Sequence, residues 1–168
     1  GATIASSNNN TILAKEGDKV TLSITASESI AAPTVSFASG PDGAELAIAA
    51  DRITVAADPA DQAVTWTASY DVVAGDKDGA VTFTISDVTD LAGNDIAADH
   101  TNNTGTTGVT VDKTVPTITG ATIASSNNNT TLAKEDDIVT LSITASESIA
   151  SPTVTFASGV QAIAADRI

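Results

Sequence analysis

Apolar and polar residues alternate along most of the chain. Between Val20 and Thr25, Val, Leu and Ile take every second position, and Thr or Ser takes the positions between them. A period of two with β-branched residues is typical of strands with one buried face. Clusters of Gly, Pro, Asp and Asn separate these stretches and predict turns. The pattern predicts seven strands, A to G, at Ala2–Ala5, Asp18–Ala26, Pro33–Ala38, Arg52–Ala56, Gln62–Tyr70, Ala80–Asp87 and Gly108–Asp112.

The number and spacing of these strands predict the fold class. No segment keeps a helical period, and seven short strands separated by turns are typical of a two-sheet Greek-key sandwich. We therefore predict an all-β protein with its core between two sheets. Trp66 takes an inward position on strand E and is expected in that core rather than on a ligand-binding surface.

A long internal repeat predicts the domain organisation. Gly1–Gly40 recurs as Gly120–Gly159, at an offset of 119 residues. A period of this length matches an independently folding domain rather than a solenoid unit. We therefore expect one whole repeat at 1–115 and the N-terminal part of a second at 116–168. The copies differ over these forty positions only at Ile12/Thr131, Gly17/Asp136, Lys19/Ile138, Ala32/Ser151 and Ser36/Thr155.

The second copy has counterparts of strands A to D but none of strands E to G. Its inward residues would therefore face a sheet that this chain does not supply, and such apolar faces are rarely left bare. We expect a homo-oligomer formed through this incomplete repeat, by strand exchange or edge addition. Partial disorder of the second copy is the alternative. The residues concerned include Val139, Leu141, Ile143, Val154 and Phe156.

Composition argues against several classes of function. The chain has 21 acidic and 7 basic residues, a net charge of -14, so nucleic acid and anionic membranes are poor partners and cations are favoured. It has no Cys, one His and few aromatic residues, so neither a disulfide framework nor a catalytic site is predicted. No apolar run is long enough to span a membrane, and membrane insertion is not expected.

Three motifs carry a resemblance to a known family. They are Thr25-Ala26-Ser27-Glu28-Ser29-Ile30 at the end of strand B, Asp90-Leu91-Ala92-Gly93-Asn94 after strand F, and Val111-Asp112-Lys113-Thr114-Val115-Pro116 between the two copies. Together they span the repeat, and the chain resembles the bacterial immunoglobulin-like (Ig-like) tandem repeats of giant adhesins. The resemblance implies an Ig-like sandwich, a secreted or cell-surface protein, a stalk or adhesive role, and often calcium at the junctions.

Strand direction predicts where acidic residues gather. Alternating strands place the loops after B and F at the end of the sandwich where the chain begins. Oxygen-only ligands suit Ca²⁺, since the chain offers no Cys and one His. The alternative is that these Asp and Asn residues only form turns. The candidate ligands at this end are Glu28, Asp87, Asp90, Asn94, Asp95 and Asp99.

A second candidate calcium position lies at the junction between the copies. Asp112 ends strand G, and Glu147, the counterpart of Glu28, is expected beside it. Asp76-Lys77-Asp78-Gly79 is similar to the start of an EF-hand loop, but Ala80 fills the next ligand position and no Glu follows at the required spacing. We interpret that segment as a solvated turn and His100 as a surface residue.

Two non-catalytic functions compete at this point. The first is a structural spacer whose partners are neighbouring repeats of the same protein, stiffened by calcium. The second is a binding module that contacts carbohydrate, ice or protein through loop tips or Thr-rich strand faces. Thr is also the ordinary solvent-facing residue of strands, which favours the spacer.

Overall fold

The computed structural model describes residues 1–57, 64–95, 100–101, 108–159 and 161–164, with 100 and 101 described through their backbone alone. The described residues are essentially all-β and form two compact units, Gly1–Thr114 and Val115–Ile168. Within them, no helix is long and apolar enough to cross a membrane. The strands of the first unit are β1 (Ala2–Ser6), β2 (Leu13–Ala14), β3 (Lys19–Thr25), β4 (Thr34–Gly40), β5 (Leu46–Ala47), β6 (Thr54–Ala57), β7 (Thr65–Asp71), β8 (Gly79–Ser86), β9 (His100–Thr101) and β10 (Thr110–Val111).

These strands form two sheets. The first has four strands in the order β1-β3-β7-β6, all antiparallel. The second has the order β2-β10-β8-β4-β5, with β9 also paired to β8. In it, β2 pairs with β10 in parallel and the other pairs are antiparallel. All seven predicted strands have a counterpart among the described residues, although 62 and 63, the predicted start of strand E, lie outside them. The strands β2, β5 and β9 are short additions that the alternation did not predict.

The core lies between the two sheets. The inward residues of β3, Val20, Leu22 and Ile24, are buried as the alternation predicts. Phe37 of β4 and Tyr70 of β7 meet across the sheets, with ring centroids 5.1 Å apart. Trp66 is also buried, which confirms its predicted place in the core. The rest of the core is built from Val, Ile and Ala together with Phe83.

One predicted boundary is wrong for a physical reason. Strand D was expected to begin at Arg52, but β6 begins at Thr54, and Arg52 ends a short 3-10 helix, Ala50–Arg52. The Arg52 guanidinium bonds to Asp76 and to the carbonyl of Asp71, at the end of β7. These bonds hold Arg52 at the edge of the core, where it does not join the β ladder.

The second unit contains β11 (Ile118–Ser125), β12 (Val139–Ala145), β13 (Ala157–Ser158) and β14 (Gln161–Ala162). β11 pairs with β12, and β13 pairs with β14, each as a two-stranded antiparallel sheet. Residues 153–156 are not a strand, although their counterparts begin β4. In the first unit β4 pairs with β8 along its whole length. The described residues of the second unit include no counterpart of β8, so this segment has no ladder to join.

The turn after the first strand is built alike in both copies. The Asn8 side-chain amide donates to Asp18 Oδ2 at 2.7 Å, and the Lys15 N–H donates to the same oxygen at 2.9 Å. These bonds hold the pKa of Asp18 below its usual range. In the second copy Asn127 donates to Asp137 Oδ2 at 2.8 Å. Near-identical sequence therefore gives the same local structure even where the partner sheet differs.

One difference between the copies lies at a left-handed position of this turn. Gly17 has a φ of 87°, and its counterpart Asp136 has a φ of 71°. Asp is one of the few residues besides Gly that adopts this region without a large penalty. The turn therefore keeps its shape although the glycine is replaced.

Candidate functional site

The loops after β3 and β8 meet at one end of the first unit, which we call the N-terminal pole. The Gly1 ammonium donates to the Thr25 carbonyl, at the end of β3. Ile30 and Asp90 form an isolated β-bridge, and the Ala31 N–H donates to the Thr89 carbonyl at 2.9 Å. The two loops are about sixty residues apart in sequence, and they meet at this pole as predicted.

The Asp90-Leu91-Ala92-Gly93-Asn94 segment is a loop organised by its first carboxylate. Asp90 Oδ1 accepts from the backbone N–H groups of Ala92 and Asn94, each at 2.8 Å. Asp90 Oδ2 accepts from the Asn94 side-chain amide at 2.7 Å. Gly93 has a φ of 89°, which suits a residue without Cβ. The Asn94 amide, with the backbone donors, holds the pKa of Asp90 below its usual range.

A cavity of about 360 Å³ opens at the N-terminal pole. Glu28 lines it from the loop after β3, and Asp90, Asn94 and Asp95 line it from the loop after β8. Its floor is apolar and includes Ile24, Ile30, Ile85 and Val88. Four of the predicted ligands therefore share one cavity that has a polar rim and an apolar floor.

The other candidate ligands lie elsewhere. Asp87 is exposed, has a φ of 53° and does not line the cavity. Asp112 follows β10 at the opposite end of the unit, where its Oδ1 accepts from the Thr114 N–H at 3.2 Å. Glu147 belongs to the second unit, where its buried Oε1 has no hydrogen-bond partner among the described residues. Asp99 lies outside the described residues.

Among the residues that the structure describes, no three or more acidic or His side chains are grouped closely enough to hold a metal ion. At the N-terminal pole, both carboxylate oxygens of Asp90 accept hydrogen bonds from its own loop. Asp90 therefore forms a turn, which was the alternative to metal binding in the sequence analysis. Glu28 and Asp95 are exposed on the rim. To coordinate a cation, the oxygen atoms of these loops would have to move closer to one another.

The opposite end of the first unit, the C-terminal pole, holds a buried ion pair that the sequence did not predict. Arg52 Nη1 lies 2.6 Å from Asp76 Oδ1, and Arg52 Nη2 lies 2.8 Å from Asp76 Oδ2. Asp76 is 4 % exposed. The solvated-turn interpretation of Asp76-Lys77-Asp78-Gly79 is therefore wrong for Asp76. Burial raises the pKa of Asp76, but hydrogen bonds from Arg52 and the Val73 N–H outweigh that effect and lower it below its usual range.

The same loop binds the segment that leads out of the first unit. Lys113 Nζ donates to the carbonyls of Ala74, at 2.9 Å, and Asp76. Thr114 Oγ1 donates to Asp78 Oδ2 at 2.9 Å, and Lys113 Nζ lies 3.6 Å from Asp78 Oδ1. We call Arg52, Asp76, Asp78, Lys113 and Thr114 the exit clamp. Its only sequence signal was the Asp-Lys-Thr of the junction motif, which marks a boundary but not a binding partner.

No family model matches this chain, and no curated protein or solved structure matches it either. The two poles of the first unit are its candidate functional regions. The N-terminal pole offers an acidic, partly apolar cavity, and the C-terminal pole holds the departing chain against the body of the first unit.

Proposed function

We propose that the chain is a non-catalytic spacer of a bacterial secreted or cell-surface adhesin, built from tandem Ig-like Greek-key sandwiches. The observation that carries the proposal is the exit clamp, which fixes the departing chain to the first unit. A spacer transmits length and direction, so it needs a fixed exit. A domain that only presented a ligand-binding loop would not need one.

The strand order supports the Ig-like part of the proposal. A sheet ordered β1-β3-β7-β6 facing a sheet that contains β10-β8-β4 corresponds to strands A, B, E and D opposite G, F and C. Ig-like sandwiches divide their strands between two sheets in this way. The first residue of the unit is held by backbone hydrogen bonds to Thr25, and the last residues are held through side chains of the exit clamp, so both ends of the unit are fixed.

We predict that Lys113→Met loosens the junction segment without unfolding the first unit. Loss of the ammonium removes donors to two carbonyls and an ion pair with Asp78. Backbone amide order parameters of residues 112–115 and 117, measured by NMR relaxation on the full chain, should fall; Pro116 has no amide proton. The free energy of unfolding should drop by only about 1 kcal/mol, since the lost contacts are few and near the surface.

Lys77→Met is the matched control for that variant. Lys77 belongs to the same loop, and its Nζ donates to the Ala44 carbonyl at 2.8 Å, away from the junction segment. Its removal should leave residues 112–117 as ordered as before. Equal order in both variants and the parent chain would contradict the spacer role assigned to the exit clamp.

We propose calcium as the cation of the N-terminal pole, with Glu28, Asp95 and the loop oxygens of Asp90 and Asn94 as its ligands. The support is the shared cavity, the hard oxygen donors and the chain's net charge of -14. Ligand charge and site rigidity set calcium affinity, and extracellular modules bind with dissociation constants of about 0.1–1 mM. A loop site whose ligands must draw together belongs in that weak range.

Calcium at about 10 mM should therefore stabilise the first unit by about 1–3 kcal/mol, a rise in Tm that EDTA reverses. Glu28→Gln removes a rim carboxylate and should weaken calcium binding, measured by titration calorimetry. Glu45→Gln is the control, because Glu45 is exposed and does not line the cavity. An absence of binding heat together with an unchanged Tm would refute the calcium site and leave the exit clamp untouched.

A further inference from the structure

The segment that joins the two units is bonded at both of its ends. On the side of the first unit, the Thr114 N–H donates to Asp112 Oδ1 at 3.2 Å, and its Oγ1 donates to Asp78 Oδ2 at 2.9 Å. On the side of the second unit, the Thr117 N–H donates to Ser146 Oγ at 3.0 Å, and the Thr117 carbonyl accepts from the Ser146 N–H at 2.9 Å. Only two residues, 115 and 116, lie between these bonded ends.

Val115 and Pro116 are restricted by covalent geometry rather than by packing. The proline ring fixes φ at about −65° and leaves no N–H to donate. A residue that precedes proline is disfavoured in the helical region, and a β-branched side chain restricts it further. Val115 is 77 % exposed, so this restriction does not depend on burial. The link between the two bonded ends is therefore short and has few conformations.

Oxygen atoms at the C-terminal pole of the first unit already hold a cation, the ammonium of Lys113. Its Nζ donates to the carbonyls of Ala74, at 2.9 Å, and Asp76. It also lies 3.6 Å from Asp78 Oδ1, and the Lys113 side chain is 19 % exposed. Carbonyl and carboxylate oxygens are the ligands of hard metal ions such as Ca²⁺, and an ammonium offers three donors to such a set. Lys113 therefore takes the position that a metal ion would need.

The carboxylates at this pole also accept hydrogen bonds from the junction segment. Asp112, a predicted calcium ligand, accepts from the Thr114 N–H through Oδ1. Asp78 accepts from the Lys113 N–H at 3.3 Å through Oδ1 and from the Thr114 hydroxyl through Oδ2. A calcium ion here would have to displace a tethered ammonium, whose effective concentration is about millimolar or higher. This places a weak calcium site at a disadvantage.

We propose that Lys113 and the Val115-Pro116 pair stiffen the junction segment in place of a metal ion. The ammonium fixes the departing chain, and the two restricted residues lead it to Thr117, where hydrogen bonds of the second unit begin. This role rests on the proposed spacer function, and it limits calcium to the N-terminal pole.

A flexible junction that calcium stiffens is the competing description. It requires low order in the junction segment without calcium and a gain of order when calcium binds. Flexible linkers are rich in glycine and serine, whereas residues 112–117 include neither. The composition of the segment therefore favours a junction that is ordered in both conditions.

Amide order parameters of the full chain, measured by NMR relaxation in EDTA and again in about 10 mM calcium, test this proposal. Val115 and Thr117 should have values of about 0.85, as in a rigid backbone, in both conditions. Pro116→Gly should lower the values of residues 115 and 116 below about 0.6, because it frees φ and removes the restriction on Val115. The values within β3 and β12 should not change, because the substitution lies outside both strands.

Thr117→Gly is the matched control for Pro116→Gly. Both backbone groups of Thr117 bond to Ser146, and a glycine keeps them. This variant should therefore leave the order parameter of Val115 unchanged, and an equal loss in both variants would overturn the role of the Val115-Pro116 pair.

Two further outcomes would overturn the proposal. One is a parent chain whose Val115 and Thr117 are below about 0.6 in EDTA and gain order with calcium, since a metal ion would then stiffen the junction. The other is Pro116→Gly with unchanged order. If Lys113→Met still loosens residues 112–115 in that case, the exit clamp and the proposed spacer function stand, and only the role of the Val115-Pro116 pair is lost.

Discussion

Arg52→Met is expected to lower the free energy of unfolding of the first unit by about 3 kcal/mol, the lower end of the range for breaking a buried ion pair. The reason is the charge left behind. The Asp76 side chain is 2 % exposed, and Arg52 is its bidentate partner, so the variant buries a carboxylate without its counter-ion. The lower end applies because the Arg52 side chain is 27 % exposed and water partly screens the pair. Urea unfolding followed by Trp66 fluorescence measures the change.

The pH dependence of that variant gives an independent check. In the parent chain the pKa of Asp76 is lowered on folding, so its contribution to stability is present above the usual carboxyl pKa of about 3.9 and is lost as the pH falls through the folded value. Without Arg52, burial dominates and should raise that pKa above the unfolded value. The variant should then lose stability as the pH rises from acid to neutral. The difference between parent and variant should therefore shrink on acidification from pH 7 to about 4.

Lys19→Met is the matched control. Lys19 and Asp71 also form an ion pair at 2.7 Å, but their side chains are 51 % and 64 % exposed. Exposed pairs contribute about 0–1 kcal/mol. Equal losses in Arg52→Met and Lys19→Met would show that burial of Asp76 does not govern the energetics of the C-terminal pole.

The strands could be predicted because their signal is local. Period-two alternation on β3, β7 and β8 requires only neighbouring residues, and the structure confirms it. The meeting of the loops after β3 and β8 could also be predicted, since strand direction alternates. The ends of strands were less certain where a side chain competed with the ladder, as Arg52 does before β6.

The poles show why residue roles were harder to predict than the fold. Asp76 was interpreted as solvated because its partner Arg52 is 24 residues away and meets it only after folding. Asp90 was predicted as a metal ligand, but its spacing to Ala92 and Asn94 also forms a closed loop of hydrogen bonds. The sequence shows which oxygen donors are present. It does not show how many lone pairs of each oxygen already accept hydrogen bonds within the protein.

Context also changed the structure of nearly identical segments. Residues 153–156 match the start of β4 with one substitution, Ser36 to Thr155, and yet form no strand. Strand propensity depends on a pleated, half-buried setting, and β8 supplies that setting to β4 in the first unit, whereas the described residues after 114 include no counterpart of β8.

Gly79→Ala is expected to cost about 3 kcal/mol or more of the free energy of unfolding, or to prevent folding. A Cβ on Gly79 would lie 2.3 Å from the carbonyl carbon of Gly40 and 2.7 Å from the nitrogen of Pro41. Both are backbone atoms of the segment where β4 ends, so no side chain can turn aside. The φ of 137° adds strain, because that region costs about 1–3 kcal/mol for residues other than glycine, and overpacking costs a similar amount.

Gly17→Ala distinguishes the cost of backbone strain from the cost of a steric clash. Gly17 also has a positive φ, 87°, but a Cβ there would meet nothing within 4 Å. Its counterpart in the second copy is Asp136, which adopts the same region, so this turn accepts a side chain. The expected loss is about 1 kcal/mol, the left-handed penalty alone. If the two variants, compared by thermal unfolding of the full chain, cost the same, then β4 and β8 can separate at Gly40 and Gly79 without loss. That would mean the close backbone approach is not required to hold the second sheet together.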